Sequence, residues 1–118
     1  MITVNDLRSR GPCNDPTNWV PENWQGTLLD IYNLENLSGS DKVLMAIWFL
    51  SEEESIAFGE WCAAQVEDPV RSARVLKYAH AYPIQAGVWM AAKNAESSGL
   101  SRESQVSYLI DLENSRGV

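Results

Sequence analysis

Near its middle, the chain reads Ser40-Asp41-Lys42-Val43-Leu44-Met45-Ala46-Ile47-Trp48-Phe49-Leu50-Ser51-Glu52-Glu53-Glu54. Residues 43–50 are all apolar and show no polar face at either the helical or the strand period, so periodicity leaves a buried strand open. The Ser-Asp cap before this run, and the Leu, Met and Ala within it, favour a central buried helix. The Ser-Glu-Glu-Glu that follows is a capping box whose acids suit the positive end of a helix dipole. The stretch therefore predicts two consecutive helices.

Start and stop signals of the same kind recur towards the C-terminus and just before this stretch. Thr27 caps a short helix that carries apolar residues as far as Leu34 and ends at Ser38-Gly39. Asp68-Pro69 is a strong helix start, and Pro83 stops or kinks the helix that follows it. The strongest predicted helices span residues 41–50, 52–66, 69–82, 84–96 and 102–114.

The N-terminal part of the chain is different in character. Thr3-Val4-Asn5-Asp6 resembles a cap for a short helix that Gly11-Pro12 ends. Residues 11–26 are rich in Pro, Asn and Trp, and three prolines forbid a continuous helix there, which predicts an ordered loop. No alternating strand pattern of useful length occurs. The expected fold is all-α: residues 1–118 form one compact bundle of about five to six short helices with this N-terminal loop.

Composition excludes several classes of protein. The chain has 118 residues, of which 45% are hydrophobic, which fits a single globular core and is too apolar for a disordered chain. Its longest apolar run is far shorter than the roughly 20 residues that a membrane span requires. The first residues contain neither a basic leader nor an apolar core, so we expect a cytoplasmic protein. Two cysteines and one histidine are too few for a zinc site, and we expect no metal or cofactor.

The net charge of −7 is unevenly distributed. Residues 22–68 hold ten acids and one lysine (net −9), whereas residues 69–93 hold four cations and no acid (net +4). Two interpretations follow. The two segments pack side by side and neutralise each other, or an acidic face is offered to a basic partner, since such fields accelerate encounter.

The acidic interpretation gives one candidate partner-binding surface. Its residues are Glu52, Glu53, Glu54 and Glu60, called the acidic set below, together with Trp61. On a helix over 52–66, Trp61 falls outside the apolar arc and close to the acids. The ring is therefore either covered by the 11–26 loop or used as an interface anchor.

The next helix offers an alternative surface. Its residues are Arg71, Arg74, Lys77, Tyr78 and Tyr82, called the basic set below. Cations interleaved with aromatic rings hold nucleic acid through phosphate contacts and stacking. Three cations in an acidic protein make a poor footprint, however, and pairing with the acidic set is the competing interpretation. Trp89 is a second candidate exposed aromatic, and Gly87 and Ala91 predict a close approach of helices.

The sequence indicates no active site. His80 has no flanking Ser, Cys or Asp in a catalytic arrangement, and a histidine between Ala79 and Ala81 is more often a packing residue than a base. Phosphate-binding glycine loops, nucleophile elbows and Glu-x-x-His patterns are absent from the sequence. We therefore expect a protein that is not an enzyme; the enzymatic alternative would require a pocket around His80.

Two stretches carry a family resemblance. They are Met1-Ile2-Thr3-Val4-Asn5-Asp6-Leu7-Arg8-Ser9-Arg10-Gly11-Pro12-Cys13, and the block that runs from Leu28-Leu29-Asp30-Ile31 through Asp41-Lys42-Val43-Leu44 to Phe58-Gly59-Glu60-Trp61-Cys62-Ala63. They resemble small helical proteins of bacteriophages and prophages. With its size, acidity and helical fold, the chain looks like an anti-CRISPR protein. That resemblance implies binding to a host Cas effector, so that its nucleic-acid, nuclease or recruitment surface is blocked. A monomer and a homodimer both stay open, because four tryptophans cannot all be assumed buried: Trp19, Trp24, Trp61 and Trp89.

Overall fold

The computed structural model describes residues 1–10 and 15–116, and it confirms the all-α prediction. Within those residues the helices are α1 (Val4–Ser9), α2 (Leu28–Tyr32), α3 (Gly39–Phe49), α4 (Glu52–Gln65), α5 (Pro69–Ala79), α6 (Ile84–Ser97) and α7 (Arg102–Arg116), with a 3-10 turn at Pro16–Asn18 and the short strands β1 (Ile2–Thr3) and β2 (Gln25–Gly26).

Local capping explains where most of these helices begin. Thr3, Thr27 and Ser51 each form a capping box, in which the hydroxyl accepts from the backbone N–H three residues on and the acid there accepts from the cap's own N–H. The carboxylate of Asp68 accepts from the N–H groups of Val70 and Arg71, and a proline occupies the first turn of α5. The predicted starts at all four positions are confirmed.

The start of α3 differs from the prediction. Ser38 is the N-cap, its hydroxyl accepts from the backbone N–H of Asp41 at 3.1 Å, and Gly39 is the first helical residue. Ser38-Gly39 therefore begins a helix and does not end one, and the predicted start at residue 41 is two residues late. The preceding helix α2 already ends at Tyr32, so Leu34 lies beyond it. The apolar run is helical as far as Phe49, with Leu50 as the extended C-cap, and its residues are buried or half-buried.

The end of α5 is also shorter than predicted. The helix stops at Ala79 and His80 is its C-cap, whereas the prediction carried it to residue 82. Pro83 supplies the reason, because a proline disfavours helical backbone in the residue before it and has no N–H to donate.

The end of α6 follows a Schellman pattern. Leu100 N–H donates to the carbonyl of Ala95, and Gly99 N–H donates to that of Glu96, both at 3.0 Å. Gly99 adopts a φ of +108°, which an L side chain rarely tolerates. The break predicted at Ser98-Gly99 is thereby confirmed.

The predicted 11–26 loop contains more regular structure than expected, and its residues 11–14 lie outside the described part of the chain. Gln25 and Gly26 pair antiparallel with Thr3 and Ile2. Strands of two residues are too short to show alternation, which is why the sequence did not reveal them. Arg8 also ties α1 to this segment, because its guanidinium contacts both carboxylate oxygens of Glu22 at 2.7 and 2.8 Å.

The core forms where α4, α5 and α6 pack on one another, with α7 lying against α2 and α3. Phe58 of α4 is fully buried near the centre. Two glycines allow close helix contacts: a Cβ at Gly59 would lie 2.7 Å from the Cβ of Ala79, and a Cβ at Gly87 would lie 2.5 Å from the carbonyl oxygen of Tyr78. The close approach predicted at Gly87 is confirmed.

Over residues 1–10 and 15–116, none of the helices combines the length and the apolar character needed to cross a lipid bilayer.

Candidate functional site

The acidic set lies on α4, but its members have different surroundings. Glu52 and Glu53 are exposed in the first turn, and neither forms an ion pair with any residue in the described ranges. Glu54 is half-buried, accepts from Ser51 in the capping box and pairs with Arg116 of α7. Arg116 in turn contacts Glu113 at 2.9 Å. Two of the four acids are therefore open to a partner at this end of α4.

Glu60 is engaged by the only histidine. His80 Nε2 lies 3.2 Å from a Glu60 carboxylate oxygen, and both side chains are about half exposed. The interpretation of His80 as a packing residue is therefore wrong. It caps the C-terminus of α5 at the surface, because the helix ends at Ala79 ahead of Pro83.

Trp61 is half-buried and packs against another helix. Its ring stacks on Tyr108 of α7, with centroids 4.5 Å apart and planes inclined by 26°, and lies 6.3 Å from the ring of Phe58. The ring that covers Trp61 therefore belongs to α7. The outer faces of Trp61 and Tyr108 are consequently joined in one aromatic surface that spans α4 and α7.

The cations of the basic set are all exposed. Within the described residues, Arg71, Arg74 and Lys77 form no ion pair at 4.0 Å or less, so the expectation that they pair with the acidic set is wrong. The physical reason is that α4 and α5 approach through their small residues, Gly59 against Ala79, which keeps long charged side chains out of the contact.

Two adjoining clefts lie beside the basic set, and both are lined by Arg74. One has a volume of about 220 Å³ and is lined by Arg71, Arg74, Asn94, Ser97 and Ser98. The other, of about 490 Å³, is lined by Ala73, Arg74, Lys77, Tyr78 and Ala81. The first cleft lies between these two arginines of α5 and the C-terminal end of α6.

A third cleft joins residues that the sequence had placed in separate surfaces. Its volume is about 240 Å³, and it lies where α3, α4 and α6 meet. We call it the Glu52 cleft; it is lined by Ile47, Leu50, Glu52, Ser55, Tyr82, Pro83, Ile84 and Gln85. Tyr82 is 85% exposed, the highest value among the large apolar side chains of the described residues. The exposed aromatic beside the acids is therefore Tyr82, not Trp61.

Ser55 is a member of this cleft that the sequence interpretation missed. The residue is 1% exposed, and its Oγ has no hydrogen-bond partner within residues 1–10 and 15–116. Its position could have been found from spacing, since it precedes Phe58, Gly59 and Cys62 by three, four and seven residues and so shares their helical face.

Trp89 and Arg102 form another contact that the sequence did not reveal. Trp89 is half-buried, with the Arg102 guanidinium carbon 4.9 Å from its ring centroid, so the prediction of an exposed Trp89 is wrong. Arg102 is itself buried and donates to Gln105 at 2.9 Å, and Gln105 donates to the carbonyl of Ala92. This network ties α7 to α6 and belongs to the core.

Cys62 has the properties of a core residue. It is fully buried, and burial raises the pKa of its thiol to about 12, so the reactive thiolate is scarce at neutral pH. Across residues 1–10 and 15–116, His, Cys, Asp and Glu side chains form no group of three that could hold a metal ion.

We compared the chain with known protein families, curated proteins and solved structures. No protein-family model, no curated protein and no solved structure matches the chain.

Proposed function

We propose that the protein is a binding protein that inhibits a host defence protein by occupying a basic surface on it, in the manner of an anti-CRISPR protein acting on a Cas effector. The observation that carries the proposal is the meeting of Glu52 and Tyr82 around one cleft, with Glu53 exposed beside them. The role is one of binding and involves no catalytic step. The phage-like opening sequence supports the choice of a bacterial host protein as the target.

The unpaired carboxylates at this surface support its role in binding a partner. The carboxylates of Glu52 and Glu53 are not neutralised by any described residue, so their charge remains available to a partner. In a protein with a net charge of −7, these two carboxylates can pair with the Lys and Arg side chains of a partner protein that normally bind phosphate. Such a field steers encounter and competes with nucleic acid for the same cations.

The aromatic part of the surface supports binding to protein. Tyrosine is enriched at energetically important interface positions, because its ring supplies contact area and its hydroxyl a hydrogen bond. Tyr82 is the exposed ring next to the acids, and it takes the anchoring role first assigned to Trp61.

The experiment is affinity capture from a bacterium that carries an active CRISPR system. We expect the double variant E52Q/E53Q to lose most of the captured Cas effector, and we expect high salt to weaken capture by the original protein. The matched control is E35Q/D111N, which removes two exposed acids elsewhere and gives the same net charge. Circular dichroism checks that both double variants are folded. If both are folded and capture equal amounts of the Cas effector, the acidic end, by which we mean Glu52 and Glu53 at the start of α4, is not the binding surface.

A second candidate function is favoured by the basic set. Arg71, Arg74 and Lys77 are exposed and unpaired within the described residues, and they border two clefts with Tyr78. A surface of this kind would bind nucleic acid through phosphate contacts that weaken as salt rises. A gel-shift titration at low salt tests it: retardation that disappears in R71A/R74A/K77A would support nucleic-acid binding, and no retardation would eliminate it.

A further inference from the structure

We infer that the Glu52 cleft is a receptacle for an arginine side chain of the partner protein. This inference rests on the proposed function and specifies which chemical group of the partner is recognised. It is carried by three features of the cleft: an apolar wall, an unpaired carboxylate at its rim and an unsatisfied buried hydroxyl.

The size and the wall of the cleft suit a long side chain. A cavity of about 150 Å³ can hold a benzene molecule, and this cleft measures about 240 Å³. Leu50, Pro83 and Ile84 line the cleft with apolar atoms. The methylene stem of an arginine packs against such groups while its charged end stays near polar ones.

The polar groups of the cleft suit a cation with several donors. Glu52 has no ion-pair partner among the described residues and accepts hydrogen bonds through two carboxylate oxygens. Ser55 Oγ, buried in the same lining, has no hydrogen-bond partner among the described residues. A buried hydroxyl without a hydrogen bond lowers stability, so a donor that enters the cleft would relieve that cost.

Tyr82 favours arginine over lysine. The planar guanidinium stacks on aromatic faces and donates two parallel hydrogen bonds to a carboxylate, whereas an ammonium acts as a compact point charge. Tyr82 lines the cleft and is 85% exposed, so its ring is free to cover a guanidinium placed between it and Glu52.

The test is a nuclear magnetic resonance titration of the full-length, ¹⁵N-labelled protein with N-acetyl-arginine methylamide. We expect the amide signals of the cleft residues, above all Ser55, Ile84 and Gln85, to move. The citrulline analogue, which has the same shape without the charge, should shift these signals several-fold less, and the lysine analogue should fall between the two.

Three variants sharpen the test. E52Q should weaken arginine binding about fivefold, the loss of one charge-assisted contact, whereas E35Q, which removes an exposed acid outside both the acidic set and the cleft lining, should leave it unchanged. S55A should also weaken binding without lowering the stability of the protein, because it removes a hydroxyl that has no partner. A purely structural serine would change stability alone.

Three results would overturn the inference: movement only of amide signals outside the cleft, equal shifts with the citrulline analogue, or equal effects of E52Q and E35Q on arginine binding. The results that would contradict the proposed function differ from the three results above. If capture depends on Glu52 and Glu53 but arginine moves no cleft signal, only the arginine inference is wrong. If arginine binds in the cleft but E52Q/E53Q captures the Cas effector normally, the proposed function is wrong.

Discussion

At the scale of the residue, Trp61 and Tyr82 are two candidate surface aromatics that the structure places in different environments. Trp61 stacks on Tyr108 at 4.5 Å, while Tyr82 is 85% exposed. Aromatic pairs add about 0.5–1.5 kcal/mol beyond the burial of their area. The two rings therefore have different roles, and substitution separates them.

We expect W61A to lower the free energy of unfolding by about 2–3 kcal/mol, less than the full cost of a wholly buried ring because Trp61 is half-buried. The matched variant Y82A should change it by about 0.5 kcal/mol or less, as exposed positions do. Urea denaturation followed by circular dichroism measures both values. Equal effects of the two variants would contradict the stacking of Trp61 on α7.

Cys62 provides a second prediction at this scale. Since its pKa is raised to about 12 and the side chain is fully buried, the native protein should not react with iodoacetamide at pH 8. The measurement uses the C13S variant, so that only one thiol is present, and compares native protein with protein in denaturant by mass spectrometry. Rapid alkylation under native conditions would show that α4 does not bury this thiol.

At the scale of the element, the contact between α6 and the end of α5 depends on Gly87. A Cβ there would lie 2.5 Å from the Tyr78 carbonyl oxygen and 2.8 Å from that of Ala81, both of which are backbone atoms that cannot move alone. We expect G87A to destabilise the protein by about 1–3 kcal/mol, as overpacking does. The control A86S adds an atom at the neighbouring exposed position and should be nearly neutral in thermal unfolding. A neutral G87A would mean that the two elements are farther apart.

The N-terminal caps make the elements sensitive to acid. Hydrogen bonds from Thr17 and Arg8 lower the pKa of Asp15 to about 2, and the backbone N–H of Arg71 lowers that of Asp68. Because these pKa values are lower in the folded than in the unfolded state, their contribution is complete above about pH 4–5. It is lost as the pH falls towards the folded values.

We therefore expect the melting temperature to fall between about pH 4 and pH 2 more steeply in the original protein than in D68N. Asparagine is also a good N-cap but does not titrate, so D68N keeps the cap and removes its dependence on pH. Thermal melts followed by circular dichroism over this range provide the measurement. Parallel curves for the two proteins would show that Asp68 does not contribute to acid sensitivity.

At the scale of the whole molecule, the sequence predicted what depends on neighbours in the chain and missed what depends on distant partners. Ser51 and Thr27 lie within three residues of the groups they cap, so their helices were predictable. The pairing of Glu54 with Arg116 joins residues 62 positions apart, and the sequence contains no local signal for it. The approach of Tyr82 to Glu52 has the same origin, because it needs the packing of α3, α4 and α6.

The overall arrangement of charge was predicted in part. The acidic and basic segments do pack against each other through α4 and α5, but among the described residues the one ion pair that joins them is Glu60 with His80, and the four Lys and Arg side chains of the basic segment have no acidic partner. The sequence left four tryptophans undecided between core and surface: Trp19, Trp24, Trp61 and Trp89. All four are half-buried and packed against the core. The surface available for recognition is therefore the start of α4, with Glu52, Glu53 and the neighbouring Tyr82. The alternative surface is formed by the cations of the basic set on α5.

The central claim is that the protein binds a host protein through the acidic end beside the Glu52 cleft. The most direct measurement replaces Tyr82 with a photoreactive benzoylphenylalanine and irradiates cells that carry an active CRISPR system. The same probe at Val70, which is 71% exposed at the start of α5, serves as the control. We predict a cross-link from position 82 to a Cas effector and none from position 70. A cross-link from position 70 alone, or from either position to nucleic acid, would contradict the claim.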